Sequence, residues 1–155
     1  MAAPSIAPAH GHPRRAIVKT ILLTVGKARP PFADADAHYR KLLSRHQPVE
    51  VVEVRSEADL MRRLPDGAHV VACDADGIQR DSTAFAAWLD ERRLAARDVC
   101  FLIGGREGLA ADVLGAAEER ISFGPQTMAH QLARVVLLEQ LFRAAKILAG
   151  EPYHH

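Results

Sequence analysis

Short apolar runs alternate along this chain with segments in which apolar residues recur every three or four positions. Residues 16–26 (AIVKTILLTVG), 49–54 (VEVVEV), 69–74 (HVVACD) and 99–105 (VCFLIGG) are rich in β-branched and aliphatic side chains and predict four strands. A short fifth is predicted at residues 120–124 (RISFG). Helical spacing is read at 32–45, at 57–64, from about Ser82 as N-cap to Ala96, at 110–119, and over the longest stretch, 130–149. Strands that are apolar almost throughout fit a sheet covered on both faces, as parallel sheets are. The expected fold is therefore a single α/β domain over residues 16–155, its mostly parallel sheet flanked by helices. The first 15 residues, MAAPSIAPAHGHPRR, have no apolar core before their arginines. They are read as a disordered extension and not as a secretory signal.

Composition narrows the classes without choosing among them. With 155 residues, 48% hydrophobic and 25% charged, the chain can bury a sizeable core. No apolar run approaches the ~20 residues that span a bilayer, which excludes an integral helical membrane protein. The net charge is only +1, so any nucleic-acid contact must come from a local patch. Cys73 and Cys100 lie inside apolar runs without C-x-x-C spacing, which suits small core residues in a reducing compartment and offers no metal-ligand set.

Chemistry is expected where strand ends open into loops. Gly104 and Gly105 end the fourth strand and lead into Arg106, Glu107 and Gly108. The pair serves either a tight turn or a ligand lying directly on the main chain, and G-G-R-E-G spells neither a dinucleotide fingerprint nor a phosphate loop. A second loop, FGPQTMAHQ at 123–131, breaks at Gly124 and Pro125 and enters a helix at His130 with no strong cap, leaving backbone groups for a guest. On the long helix Leu137, Leu138, Leu141, Phe142, Ala144, Ala145 and Leu148 form one apolar arc with Arg134 in its middle. Arg134 must either snorkel to solvent or hold an anion. Val135, Val136, Leu132 and Ile147 spread apolar surface around the same helix, as expected if a second subunit covers it. Glu139 and Arg143 are spaced for a solvated i, i+4 pair. The tail GEPYHH is either frayed or supplies an aromatic ring and an imidazole.

Four segments together resemble one known family: TVGK at 24–27, IGGREGL at 103–109, HQLARVVLLEQLFRA at 130–144 and GEPYH at 150–154. Over residues 17–155 the chain is similar to the RlmH family of SPOUT-class methyltransferases, which methylate N3 of a pseudouridine in 23S ribosomal RNA of the large subunit. The resemblance implies a trefoil-knotted C-terminal region, S-adenosylmethionine as methyl donor, a cytoplasmic homodimer whose shared face builds the site, and no metal. It places donor contacts at Cys73, Gly104, Gly105, Gly124, Pro125, Gln126, Thr127, Met128 and Ala129. It makes Arg134 a substrate or donor clamp, and Tyr153, His154 and His130 the groups that orient or deprotonate the base. Ala129 stands where the family has proline and Ile78 where it has lysine, and the stretch before the third strand is shorter than usual. A non-catalytic ribosome- or RNA-binding module of the same fold is the alternative; another kind of nucleotide enzyme would need the phosphate loop that is lacking.

Overall fold

The computed structural model describes residues 18–153; the expected extension at 1–15, the expected domain start at Ala16, and His154 lie outside them. Ten elements follow in order: β1 (Thr20–Val25), α1 (Ala33–Leu43), β2 (Val49–Val54), α2 (Glu57–Arg62), β3 (His69–Gln79), α3 (Ser82–Leu94), β4 (Val99–Ile103), α4 (Ala111–Ala116), β5 (Glu119–Ser122) and α5 (His130–Leu148). The five strands form one sheet in the order β2-β1-β4-β3-β5, and every neighbouring pair is parallel.

Side-chain alternation explains why the strands read as continuously apolar. In β1, Leu22 belongs to a core with Val71, Phe101, the α5 residues Leu137, Leu138 and Leu141, and Phe85 and Trp88 of α3. Its neighbours Ile21 and Leu23 belong to a second core with Cys100, Leu102, Leu60 of α2 and Val113 of α4. Both faces are buried, so both parities must be apolar. Helix α5 lies between α1 and α3 over one face, and its buried residues are Arg134, Leu137, Leu138, Leu141, Phe142 and Ala144. Val135, Val136 and Ile147 are half-buried and Leu132 is 40% exposed, so the helix keeps an uncovered apolar strip.

Several boundaries differ from the sequence expectation for local physical reasons. Asp81, not Ser82, caps α3, its carboxylate accepting from the Ala84 N–H at 2.7 Å; the Ser82 hydroxyl donates instead to Gln140 Oε1 at 2.7 Å. Helix α4 stops at Ala116 because Ala117 turns extended, freeing Glu119 to begin β5. Strand β3 runs on to Gln79 through a bulge, with Cys73 and Ile78 both opposite Ile121. At the bulge, a Cβ on Gly77 would sit 2.6 Å from the Ile121 carbonyl carbon, so only glycine lets the two backbones come this close. No helix among the described residues is long and apolar enough to cross a membrane.

Candidate donor site at the carboxyl ends of the strands

The bulged stretch of β3 at Cys73–Ala75 and the loops that leave the carboxyl ends of β4 and β5 meet the first turn of α5, enclosing a cavity of about 330 Å³. Eight of the residues named from sequence line it: Cys73, Gly104, Gly105, Gly124, Gln126, Thr127, Met128 and His130. Pro125 and Ala129 belong to the same loop but do not line the cavity.

The glycine pair resolves into a turn that is also a wall. The Gly108 N–H donates to the Gly105 carbonyl at 3.0 Å, and Gly108 has a φ of +78°. A Cβ on Gly104 would lie 2.5 Å from both the carbonyl carbon and the oxygen of Gly108, so the turn closes on Gly104 itself. Gly105 is less constrained, a Cβ there meeting Val25 Cγ1 at an ordinary 3.5 Å. After β5, Ser122 Oγ accepts from the Gly124 N–H at 3.0 Å and donates to the Gly124 carbonyl at 2.8 Å, fixing the bend at Gly124, whose φ is +130°. Beyond that bend the N–H groups of Gln126, Thr127 and Met128 have no partner among the described residues, an arrangement suited to an in-plane heterocycle or a carboxylate.

Sequence reasoning did not single out Asp74, Glu107 and Phe123, which also line the cavity. Asp74 and Glu107 bring two carboxylates to the cavity and Arg106, which also lines it, one guanidinium, a mixed rim suited to a guest that carries both a cationic centre and a carboxylate. Their signal was present: Glu107 sits inside the glycine motif, and Asp74 ends the apolar run of β3. Burial, reinforced by the Asp74 carboxylate, pushes the Cys73 thiol up to about 12. Cys73 is therefore expected to resist iodoacetamide in the native protein near pH 8, roughly the ordinary thiol pKa, and to react once unfolded. Rapid native-state alkylation in mass spectrometry would show a more open or ionised thiol.

Arg134 is not at this cavity. It is 2% exposed, its Nε and Nη2 pairing with Asp36 of α1 and its Nη1 donating to Glu53 Oε2 of β2 at 2.7 Å. The anion that its position demands is thus supplied within the chain. Burial works against ionisation at Glu53, but the Ala28 N–H and Arg134 outweigh it and hold the carboxyl below its ordinary range. Gln131 extends the clasp, its Nε2 donating to the Lys27 carbonyl at 2.7 Å and its Oε1 accepting from the Arg29 N–H at 3.1 Å. Two of the family-like segments, TVGK and HQLAR, therefore meet in space.

Tyr153 lies at the other end of α5. Its hydroxyl donates to Glu139 Oε2 at 3.3 Å, its ring meets Phe142 edge-on at 4.8 Å, and the Arg143 guanidinium lies over it at 4.9 Å. The Glu139–Arg143 pair forms at 2.8 Å, with both side chains 19% exposed, so it is partly covered and not fully solvated.

A family model described as "Predicted SPOUT methyltransferase" matches residues 18–154. Proteins named "Ribosomal RNA large subunit methyltransferase H" are similar over most of their length. That of Gemmatimonas aurantiaca is 42% identical across 88% of this chain and 99% of its own, and that of Listeria monocytogenes serotype 4b is 40% identical across 86% and 97%. Among solved structures, a probable methylase family protein from Haemophilus influenzae superposes with a TM-score of 0.60 at 11% identity, covering 90% of this chain and 71% of that one. The SpoU methyltransferase AviRb from Streptomyces viridochromogenes, in complex with AdoMet, gives 0.51 at 15% identity, covering 93% and 64%, a likeness of fold. With the five-stranded parallel sheet, the two loops that converge on the β3 bulge and matches of this extent, the chain belongs to the SPOUT methyltransferases, in the ribosomal RNA large subunit methyltransferase H family.

Proposed function

We propose that this protein transfers a methyl group from S-adenosylmethionine to N3 of a pseudouridine in 23S ribosomal RNA of the large subunit, as a cytoplasmic homodimer with a trefoil-knotted C-terminal region. The observation that carries the chemistry is the cavity at the sheet's edge, walled by glycine-rich main chain and rimmed by Asp74, Arg106 and Glu107. The donor, when bound, supplies a methyl already activated by its sulfonium. What the chain must add is alignment of that methyl with the attacking nitrogen and removal of one proton. The free N–H groups at 126–128 suit hydrogen bonding to the donor's planar base, and the two carboxylates suit its cationic centres. His130 lines the cavity at the start of α5, which supports reading it as the group of this protomer that orients or deprotonates the target base.

Tyr153 and His154 take their roles from the partner subunit in this proposal. Tyr153 packs on Phe142, twelve residues along α5 from His130, a rise of about 18 Å at 1.5 Å per residue. Its own protomer's cavity is therefore out of reach, while the uncovered strip of Leu132, Val135 and Val136 offers a surface for a second copy. Light scattering is expected to give twice the chain mass at micromolar concentration. Deletion of 153–155 is expected to leave donor affinity unchanged while lowering methyl transfer at least about tenfold, roughly 1.4 kcal/mol of transition-state stabilisation. A wild-type rate in the deletion variant would make the tail structural. The activity itself is tested by supplying tritiated S-adenosylmethionine with ribosomes from a strain lacking this gene. Donor binding without methyl transfer to any ribosomal particle would overturn the reading.

A further inference from the structure

The Gln131 amide is held at both ends by main chain. Its Oε1 accepts from the Arg29 N–H at 3.1 Å, and its Nε2 donates to the Lys27 carbonyl at 2.7 Å. The loop that carries these two partners is itself anchored to β2. The Gly26 N–H donates to the Val54 carbonyl at 2.8 Å, and the Ala28 N–H to Glu53 Oε2 at 2.9 Å, the same oxygen that receives Arg134 Nη1. A backbone N–H can only donate and a backbone carbonyl can only accept, so these bonds assign the amide and forbid its reversal. The nitrogen, with two hydrogens and no free lone pair, is thus fixed on the Lys27 side.

That nitrogen has a second neighbour, His130 Nε2 at 3.5 Å, and it is the one hydrogen-bond partner of the His130 ring among the described residues. One amide hydrogen is committed to Lys27, which leaves the other for His130. Because the amide nitrogen cannot accept, His130 Nε2 enters the contact only through its lone pair; a proton there would set N–H against N–H. The proton of the neutral ring therefore sits on Nδ1. His69 is the contrasting case, both of its nitrogens facing carboxylate oxygens, of Glu118 at 3.2 Å and Glu119 at 2.8 Å, whereas His130 faces a donor. His130 Nδ1 has no partner among the described residues and is not enclosed without one, so it is open, in a residue that lines the donor cavity.

We propose that Gln131 is a positioning residue that holds His130 in its Nδ1–H form, so that the ring offers the substrate base a hydrogen-bond donor and no lone pair. The inference rests on the RNA-methyltransferase reading and deepens it. N3 of a pseudouridine is flanked by two carbonyls, and the charge left when its proton departs spreads onto their oxygens. A donor at Nδ1 holds such an oxygen more tightly as that charge develops. His130 then orients the base and stabilises its anion, and does not itself receive the N3 proton.

Long-range 1H–15N correlation spectra of the full chain labelled at histidine read the protonated ring nitrogen directly, with His130→Asn identifying the signal. At about pH 8.5, above the usual range of imidazole titration, wild type is expected to carry the proton on Nδ1. Gln131→Met removes the donor, and Gln131→Glu sets an acceptor beside Nε2. In both the proton should move to Nε2 and kcat should fall at least about tenfold, with affinity for S-adenosylmethionine unchanged. A wild-type ring with its proton on Nε2 overturns the proposal, whether or not the variants fold. So does a ring that stays Nδ1–H in both variants, which would make Gln131 a member of the clasp alone, or a wild-type kcat in a variant whose proton has moved. If wild type transfers no methyl at all, the enzymatic reading fails, while the spectra still decide what Gln131 does to the ring.

Discussion

Arg134→Ala is expected to lower the folding free energy by about 3–5 kcal/mol, the usual consequence of removing one partner from a buried ion pair. Asp36 is 3% exposed and packed in the α1–α5 contact, so without the Arg134 guanidinium its buried carboxylate keeps only the half-exposed Arg40, 3.7 Å away, as counterion. Urea denaturation reads the loss directly. A change below 1 kcal/mol would mean that the helices open to hydrate Asp36. Asp36→Asn in the Arg134→Ala background should recover part of the stability by removing the stranded charge, a signature that a purely substrate-binding arginine would not give. The same cluster imposes a pH dependence. Glu53 has a folded pKa below its unfolded one, so its contribution is fully present above the ordinary carboxyl value of about 4.5 and is lost as pH falls through the lower folded value. Wild type should therefore lose stability on acidification below that point, and Arg134→Ala should lose less.

Gly104→Ala is expected to weaken S-adenosylmethionine binding at least tenfold, about 1.4 kcal/mol. The added carbon would lie 2.5 Å from the Gly108 backbone, and main chain can yield only by moving the turn that walls the cavity. Gly105→Ala is the control, because its carbon meets Val25 at 3.5 Å. Gly105→Val adds branches at the same place and is expected to abolish donor binding while leaving the fold largely intact. Calorimetry giving wild-type affinity for Gly104→Ala would show that the turn adapts; for Gly105→Val it would make that glycine a turn residue only.

The elements most legible in the sequence were those specified by local pattern. Strand β2 runs from Val49 to Val54 as its apolar alternation predicts, and α5 ends one residue short of its expected limit. The loops at 103–109 and 123–130 could be placed at one edge because parallel strands all point their carboxyl ends the same way. Long-range pairings were not legible. Nothing near Arg134 announces that its anion is Asp36, 98 residues earlier, and an arginine on an apolar arc looks the same whether it faces a ligand or a buried carboxylate. The β3 bulge was hidden for a related reason: Gly77 is required by the approach of β5, an element more than forty residues later.

The clasp that joins Lys27, Arg29, Asp36 and Glu53 to Gln131 and Arg134 spans separations of 81 to 104 residues. Synthesis proceeds from the amino end at roughly 5–20 residues per second, so the acidic half of this clasp emerges many seconds before its basic half. Until α5 leaves the exit tunnel, the sheet face made by Leu22, Val71 and Phe101 has no lid in its middle, and the nascent chain must stay soluble with that surface open. Maturation of this protein is thus timed by its last helix, and a message truncated before residue 130 would encode a product with no means of closing its core.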